Sequence, residues 1–438
     1  MECGDAAVME SLRRGSAWMI AGQMAALGFQ AVYFVLMGRT LGSREYGAFV
    51  GVVALVAVLS QFSSCGMEMV LLRNVSRDRD SFATSWGSAL RVAALGFVAL
   101  LVVAMGFGHW FLRGGLRLLV PWIAVSDGLF GKVAQMAGRA LQGAGELRAM
   151  AKLMAGMNAG RAILAAMLFA YARWWGGWAD ALVWARIYWI APLVVGGIAF
   201  WMVTSRMGWP RFERMRLRDW SEGLSFSLSN SSISVYNDID KTFLVSLGNT
   251  FAAGIYGAAY RVADVATAPL YSVYAAATPR LFREGGESVE LAHALSKRIL
   301  RRTVLYGLGA GVALFFGAGL VPRLFGPSFT ESVTALRWLC LLPLLRVLHY
   351  AWGTTITASA SQWYRTATQA GAAVLNLALC AWMIPRWSWQ GAAWASLLTD
   401  GSLAVLSWMV LSALRRVQRS HVSKTRRGAP TVVFDEEV

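Results

Sequence analysis

One helix-length stretch, Leu224 to Asn249, carries side chains suited to solvated chemistry rather than lipid contact: Asn230, Asn237, Asp238, Asp240 and Lys241, with a run of serines from Ser225 to Ser234. At helical spacing Ser227, Asn230, Ser231, Ser234, Asn237, Asp238 and Lys241 share a face, while Phe226, Ile233, Tyr236, Ile239, Phe243 and Leu247 fill most of the rest. The following segment adds Arg261 and Asp264 at i,i+3 spacing. Elsewhere Arg161, Arg346 and Asp400 lie roughly 13–16 Å inside long apolar runs, with Arg91, Lys132, Arg186 and Asp127 also within such runs. A charge facing lipid costs several kcal/mol, so these groups face either a wet cavity or one another. Both readings stand for Asp238 with Lys241 and for Arg261 with Asp264, whose spacing also permits local neutralisation. Glu68 and Arg337, near helix ends, fit snorkelling to an interface. His349 follows Arg346 by three residues and falls on its face; packing and coupling roles are both open to it.

The candidate cavity set is therefore the cations Arg91, Arg161, Arg186, Lys241, Arg261 and Arg346, with the acids Asp238, Asp240, Asp264 and Asp400. Such a cationic cavity suits an anionic or polyhydroxylated substrate. A diphosphate is held best by Arg or Lys, and an oligosaccharide cannot cross lipid bare because each unpaired hydroxyl carries a desolvation penalty.

The elements that must position these residues follow from composition. The 438 residues are 57% hydrophobic and 15% charged, and apolar runs of membrane-spanning length recur throughout. Mean hydropathy is +0.49. The expected fold is an all-α integral membrane protein of about twelve transmembrane helices. Helix 1 spans 16–38 and helix 2 runs on to about 72; helices 3 to 6 cover 85–107, 116–138, 151–171 and 181–203. Helix 7 is the polar stretch above, and helices 8 to 12 cover 252–277, 299–320, 335–357, 366–384 and 391–411. The acids before Arg13 and Arg14 exclude a signal peptide at the start. Cys3, Cys65, Cys340 and Cys380 are scattered, have no CxxC spacing, and read as packing residues.

The net charge of +17 is a matter of topology. With the N-terminus inside, most Lys and Arg fall on the cytoplasmic side, and the other side receives only Arg39, Arg44, Arg113, Arg117, Arg173, Arg323 and Arg386. Nucleic acid is therefore not an expected partner, whereas membrane lipid is. With no P-loop, no metal-ligand spacing and only short external loops, neither a cofactor nor an enzymatic activity is expected.

The chain divides into an N-terminal lobe (1–204), a basic amphipathic cytoplasmic linker (205–222), a C-terminal lobe (223–414) and a basic tail (415–438). The lobes look alike. LGSREYGAF after helix 1 matches LGNTFAAGIYGAA after helix 7, and Gly47, Arg73 and Arg91 pair in order with Gly257, Arg283 and Arg301. This is the pattern of a six-helix duplication with a cavity between two similarly oriented halves.

Three segments then carry a family resemblance. GRTLGSREYGAF, NDIDKTFLVSLGNTFAAGIYGAAYRV and VLNLALCAWMIPRWSWQGAAWASLLTD make residues 12–412 resemble the polysaccharide-transporter branch of the multidrug/oligosaccharidyl-lipid/polysaccharide exporter superfamily, typified by O-antigen (Wzx-type) flippases. In the third, RWSWQ replaces the more usual short glycine turn. The resemblance implies two six-helix lobes around a cationic central cavity, and alternating access in the bacterial inner membrane with both termini cytoplasmic. It implies an undecaprenyl-diphosphate-linked oligosaccharide as substrate, and it allows for glycan polymerase and chain-length proteins as partners. Asp240-Lys241 matches the family's recurrent acid–base pair in helix 7. Asp240, Asp264 and Asp400 are candidates for coupling to a proton or sodium gradient. A drug or cation antiporter of the same superfamily and a peptidoglycan-precursor flippase are the alternatives. The first would want acids in the N-terminal lobe, where Asp127 is the only deep carboxylate. The second usually has two further helices and basic residues within helices 1 and 2.

Overall fold

The structure, a computed structural model, describes residues 2–213, 217–359 and 362–427. Twelve spans are formed from its helices, and no strand occurs among the described residues. The helix Glu2–Ser60 breaks at Gly42 (φ 70°) into α1 (2–41) and α2 (43–60), and α2 resumes after a turn at 61–66 as Met67–Arg77. Then come α3 (Phe82–Phe111), α4 (114–143), α5 (Leu147–Trp174) and α6 (Ala181–Tyr188 with Ile190–Met207). The second half holds α7 (Leu217–Ser246), α8 (Thr250–Glu287) and α9 (Val289–Gly317). A short helix, Leu320–Phe325, leads to α10 (Ser332–Leu339 with Leu342–Ser359). The last helix, Gln362–Arg427, breaks at Ser388 into α11 and α12.

The expected helix 2 is interrupted at 61–66. Helix 4 is irregular, opening with a 3-10 segment and carrying a π-helical segment at Ala124–Phe130 that holds Asp127. The expected linker is shorter than 205–222, because α6 persists to Met207 and α7 already begins at Leu217; its residues 214–216 lie outside the described residues. The tail is helical as far as Arg427, and 428–438 likewise lie outside.

The duplication is visible in the backbone. The α7–α8 turn is made at Gly248 (φ 83°), the counterpart of Gly42 in the paired LGS and LGN segments, and a left-handed turn there favours a residue without Cβ. The lobes are also knit alike: α1 packs on α5 as α7 packs on α11, α2 on α4 as α8 on α10, and α4 on α6 as α10 on α12. Caps fix several starts. Asp180 accepts from Val183 N–H ahead of α6, Asn249 from Ala252 N–H ahead of α8, and Ser288 from Glu290 N–H ahead of α9.

Where the core lies decides the shape of the molecule. At the end away from the linker, one apolar cluster joins the lobes, with Tyr46, Phe49 and Trp184 packed into the same mass as Tyr256, Phe325 and Phe329. Towards the linker end each lobe has its own cluster, around Met67, Trp86 and Met136 in one and Leu270, Tyr274 and Val347 in the other. The lobes are thus sealed at the far end and parted at the linker end. The seal is polar as well as apolar. Arg39 donates from Nε to the Leu324 carbonyl and from Nη2 to the Arg323 carbonyl, both at 2.6 Å. The separation at the linker end lies on the α1–α8 side, since on the other side Arg73 pairs with Asp219 at 2.6 Å and with Glu222, tying α2 to α7.

Candidate functional site

A cavity of about 760 Å³ lies between the lobes. From the N-terminal lobe it is lined by Met19, Gln23, Gln30 and Phe34 of α1; from the C-terminal lobe by Asn237 and Asp238, by Tyr260, Arg261, Asp264 and Tyr271, and by Arg346 and Tyr350. Its inner end is at mid-span and it reaches Gln142 and Leu147 at the linker end.

The charged wall belongs to the C-terminal lobe. Arg346 donates to Asp264 Oδ1 and to the Tyr260 hydroxyl, each at 2.6 Å, and its Nε stands 3.7 Å from Asp400. Behind it His349 Nε2 lies 3.2 Å from the other oxygen of Asp400. Arg261 bridges Asp264 (3.4 Å) and Asp238 (3.8 Å), and its guanidinium sits 4.8 Å over the ring of Phe34 in the opposite lobe. Lys241 is fully buried; its Nζ reaches the Asn237 carbonyl at 2.8 Å and Asp238 and Asp240 at 3.1 Å each, beneath the Tyr260 ring. Asp240 also accepts from Tyr256 and Ser396. Low dielectric requires such pairing, because an unpartnered buried charge is among the most destabilising features a fold can carry.

The sequence-derived set therefore separates into layers. Arg261, Arg346, Asp238 and Asp264 form the cavity wall. Lys241, Asp240 and Asp400 are a second layer that holds the wall in place. Four expectations are corrected. Arg161 does not line the central cavity but pairs with Asp127 at 2.6 Å within the N-terminal lobe, 4.5 Å over the Tyr188 ring. Arg186 is exposed on α6 and absent from the cavity wall. Arg91 points outward, over Phe212 at 5.5 Å and towards the Glu213 carbonyl, so it holds the linker to α3. Glu68 does not snorkel: it is buried, accepts from Ser64 and faces Lys132 at 3.7 Å.

The wall is also not cationic as expected. In the wall Arg261 and Arg346 are matched by Asp238 and Asp264, and once Lys241, Asp240 and Asp400 behind it are added the carboxylates outnumber the permanent cations by one. Sequence reasoning missed the tyrosines Tyr260 and Tyr271, whose hydroxyls complete the arginine shell, because aromatic residues in apolar helices give no signal of polar contact. It also missed Arg139, which was placed just beyond the end of helix 4 and in fact lies inside α4.

Two lobes of six helices, duplicated in backbone and packing and enclosing a polar cavity closed at one end, define a membrane transporter fold. The profile of the polysaccharide biosynthesis protein family matches residues 12–284. That is more than half of the chain, and the chain belongs to this family. No curated protein matches the sequence. Among solved structures it is similar to an inward-facing MATE family multidrug resistance transporter of the MOP superfamily, with TM-score 0.70 and 17% identity over 90% of this chain and 99% of that one. An outward-facing MATE structure gives TM-score 0.62 at 16% identity, covering 92% of this chain and 96% of the other. A MOP superfamily transporter from Pyrococcus furiosus, described by the reverse polarity of its binding pocket, gives TM-score 0.63 at 15% identity over 92% and 96%. These likenesses show the fold.

Proposed function

We propose that the protein is a flippase that moves an undecaprenyl-diphosphate-linked oligosaccharide from the inner to the outer leaflet of the bacterial inner membrane, the linker end and both termini facing the cytoplasm. The observation that supports this most is the central cavity, open at the basic linker end and sealed at the other. A headgroup of hydroxyls and phosphates enters there, and the isoprenoid tail stays in lipid. Asp238 and Asp264 accept from sugar hydroxyls, Arg261 and Arg346 donate, and Tyr271 and Tyr350 offer ring faces. Transport then requires the α2–α8 seal to part while the linker end closes. Asp127, the deep acid a drug antiporter would use in the first lobe, is occupied by Arg161.

Coupling follows from the charge count. Across the wall and the layer behind it the carboxylates exceed the permanent cations by one, and Asp400, beside Arg346 and His349, is the acid we assign to coupling with a proton or sodium gradient. Glycan polymerase and chain-length proteins would act on the delivered unit.

The test is transport of a labelled lipid-linked oligosaccharide by purified protein in sealed vesicles. Protein-dependent exposure of the label to an external glycan-degrading enzyme is expected. Transport of cationic drugs with no movement of the lipid-linked glycan would replace this reading with the antiporter.

A further inference from the structure

Most of the interior cations are paired with carboxylates, and Arg139 of the N-terminal lobe is not. It projects from α4 into a side pocket of about 320 Å³ lined also by Gln23 and Gln30 of α1, Gln135 of α4 and Asn158 of α5. Its Nη1 donates to Gln142 Oε1 at 2.7 Å, and among the described residues no carboxylate lies within 4.0 Å of it. The side pocket adjoins the central cavity, with Gln23, Leu27 and Gln30 of α1 lining both. Arg139 stands four residues before the end of α4 at Gly143, about 6 Å along the axis. Arg139 therefore lies near the linker end, the end through which the cavity opens.

We propose that this side pocket is the entry subsite for the phosphate-bearing headgroup, with Arg139 as its anion anchor and the carboxamides of Gln23, Gln30, Gln135 and Asn158 as contacts for the attached sugars. The assignment rests on the flippase reading and says which lobe recognises the substrate first. A guanidinium free of protein carboxylates keeps its donors for a ligand, and two adjacent ligand oxygens match its fork. Carboxamides both donate and accept, as sugar hydroxyls do, and they add no charge that would repel the phosphates. In the C-terminal lobe every cation of the wall already has an acid beside it. The headgroup is therefore captured in the N-terminal lobe and reaches the paired wall with its distal sugars.

The test uses full-length protein in nanodiscs of neutral lipid, titrated with undecaprenyl diphosphate, phosphatidylglycerol and inorganic pyrophosphate, with binding read by native mass spectrometry. Wild type is expected to retain the polyprenyl diphosphate in preference to both other probes. Arg139→Gln is expected to weaken it about 10-fold or more, and Arg139→Lys by less. An unchanged thermal unfolding curve shows that Arg139→Gln is folded. Binding by Arg139→Gln equal to wild type overturns the subsite and leaves the flippase reading standing. Equal binding of pyrophosphate identifies a soluble anion as the ligand, and equal binding of phosphatidylglycerol an ordinary headgroup; either overturns the assignment. Folded wild type that binds no polyprenyl diphosphate removes the flippase reading with it.

Discussion

Gly47 and Gly254 interlock where α2 crosses α8, the residue of each helix resting on the backbone of the other. A Cβ on Gly47 would stand 1.9 Å from the Thr250 carbonyl oxygen, and one on Gly254 1.8 Å from that of Ser43. Small residues let two helices approach this closely inside a membrane. The pair is the narrowest point of the far-end seal, so a side chain at either position must push the lobes apart there. Gly47→Val and Gly254→Val are expected to raise maleimide labelling of a cysteine placed at Phe325, which is buried in the seal. Transport should fall by roughly an order of magnitude, because a seal that cannot close defeats alternating access. Unchanged labelling in both variants would count against the seal.

Arg39 latches the same end with its fork on the carbonyls of Arg323 and Leu324. These belong to the last turn of the short helix Leu320–Phe325, where the helix dipole favours a cation. Arg39 is exposed, so the latch is a modest term of about 1 kcal/mol, or roughly 5-fold in the ratio of closed to open forms. Spin labels across the far end of Arg39→Gln should report a shift of that size towards the open form, with little change in thermal stability.

Arg346 serves both stability and transport, and the two can be separated. Arg346→Ala leaves Asp264 with Arg261 alone and takes from the buried Asp400 its only permanent cation. Breaking a buried pair in this way costs about 3–5 kcal/mol. The double variant Arg346→Met with Asp400→Asn removes the buried charge from both sides and should recover much of the lost thermal stability while transport stays absent. If the double variant transports normally, the wall is structural and not a substrate surface. Arg161→Ala, by contrast, uncovers Asp127 inside the N-terminal lobe, and its first effect should be on protein stability.

The architecture was legible because the bilayer leaves so few options. Twelve apolar runs and an asymmetric charge distribution fix spans, and LGS and LGN mark equivalent turns. The turn between α11 and α12 was less legible, since RWSWQ lacks the usual glycine and Ser388 takes the positive φ instead (51°), its hydroxyl accepting from Asn249 Nδ2 at 2.8 Å. For single charges, depth along a helix was readable but direction around it was not. Arg161 is as deep as Arg346, yet α5 aims it at Asp127 of its own lobe while α10 aims Arg346 at the cavity. Arg91 was misplaced for the same reason, its partners lying in a linker that periodicity cannot locate. Arg139 escaped notice because the apolar run around it ends early, while the α4 helix does not.

Acid should loosen the far end at Asp180. Burial favours its neutral form, but hydrogen bonds from the Val183 and Leu182 N–H groups and the Trp178 indole outweigh that and hold the carboxyl below its ordinary range, with Arg186 adding to the effect. A depressed folded pKa contributes stability above the unfolded value near pH 4, lost as pH falls further towards the folded value. Asp180→Ala should therefore lower thermal stability by about 1 kcal/mol at neutral pH, and the gap to wild type should narrow below about pH 4.

Asp400 offers the sharpest test of coupling. Its oxygens face Arg346 at 3.7 Å and His349 at 3.2 Å. Arg346 is shared between Asp264 on the cavity wall and Asp400 behind it, so the charge on Asp400 sets how tightly the guanidinium is drawn back from the cavity. Asp400→Asn fixes the neutral state permanently, while Arg346 retains Asp264 and Tyr260, so the wall should stay assembled. In vesicles the wild type should transport faster with an imposed ion gradient than without one. Asp400→Asn should transport at one rate in both conditions. Should Asp400→Asn keep the full response to the gradient, the coupling charge must reside elsewhere in the wall, with Asp264 the next acid to examine.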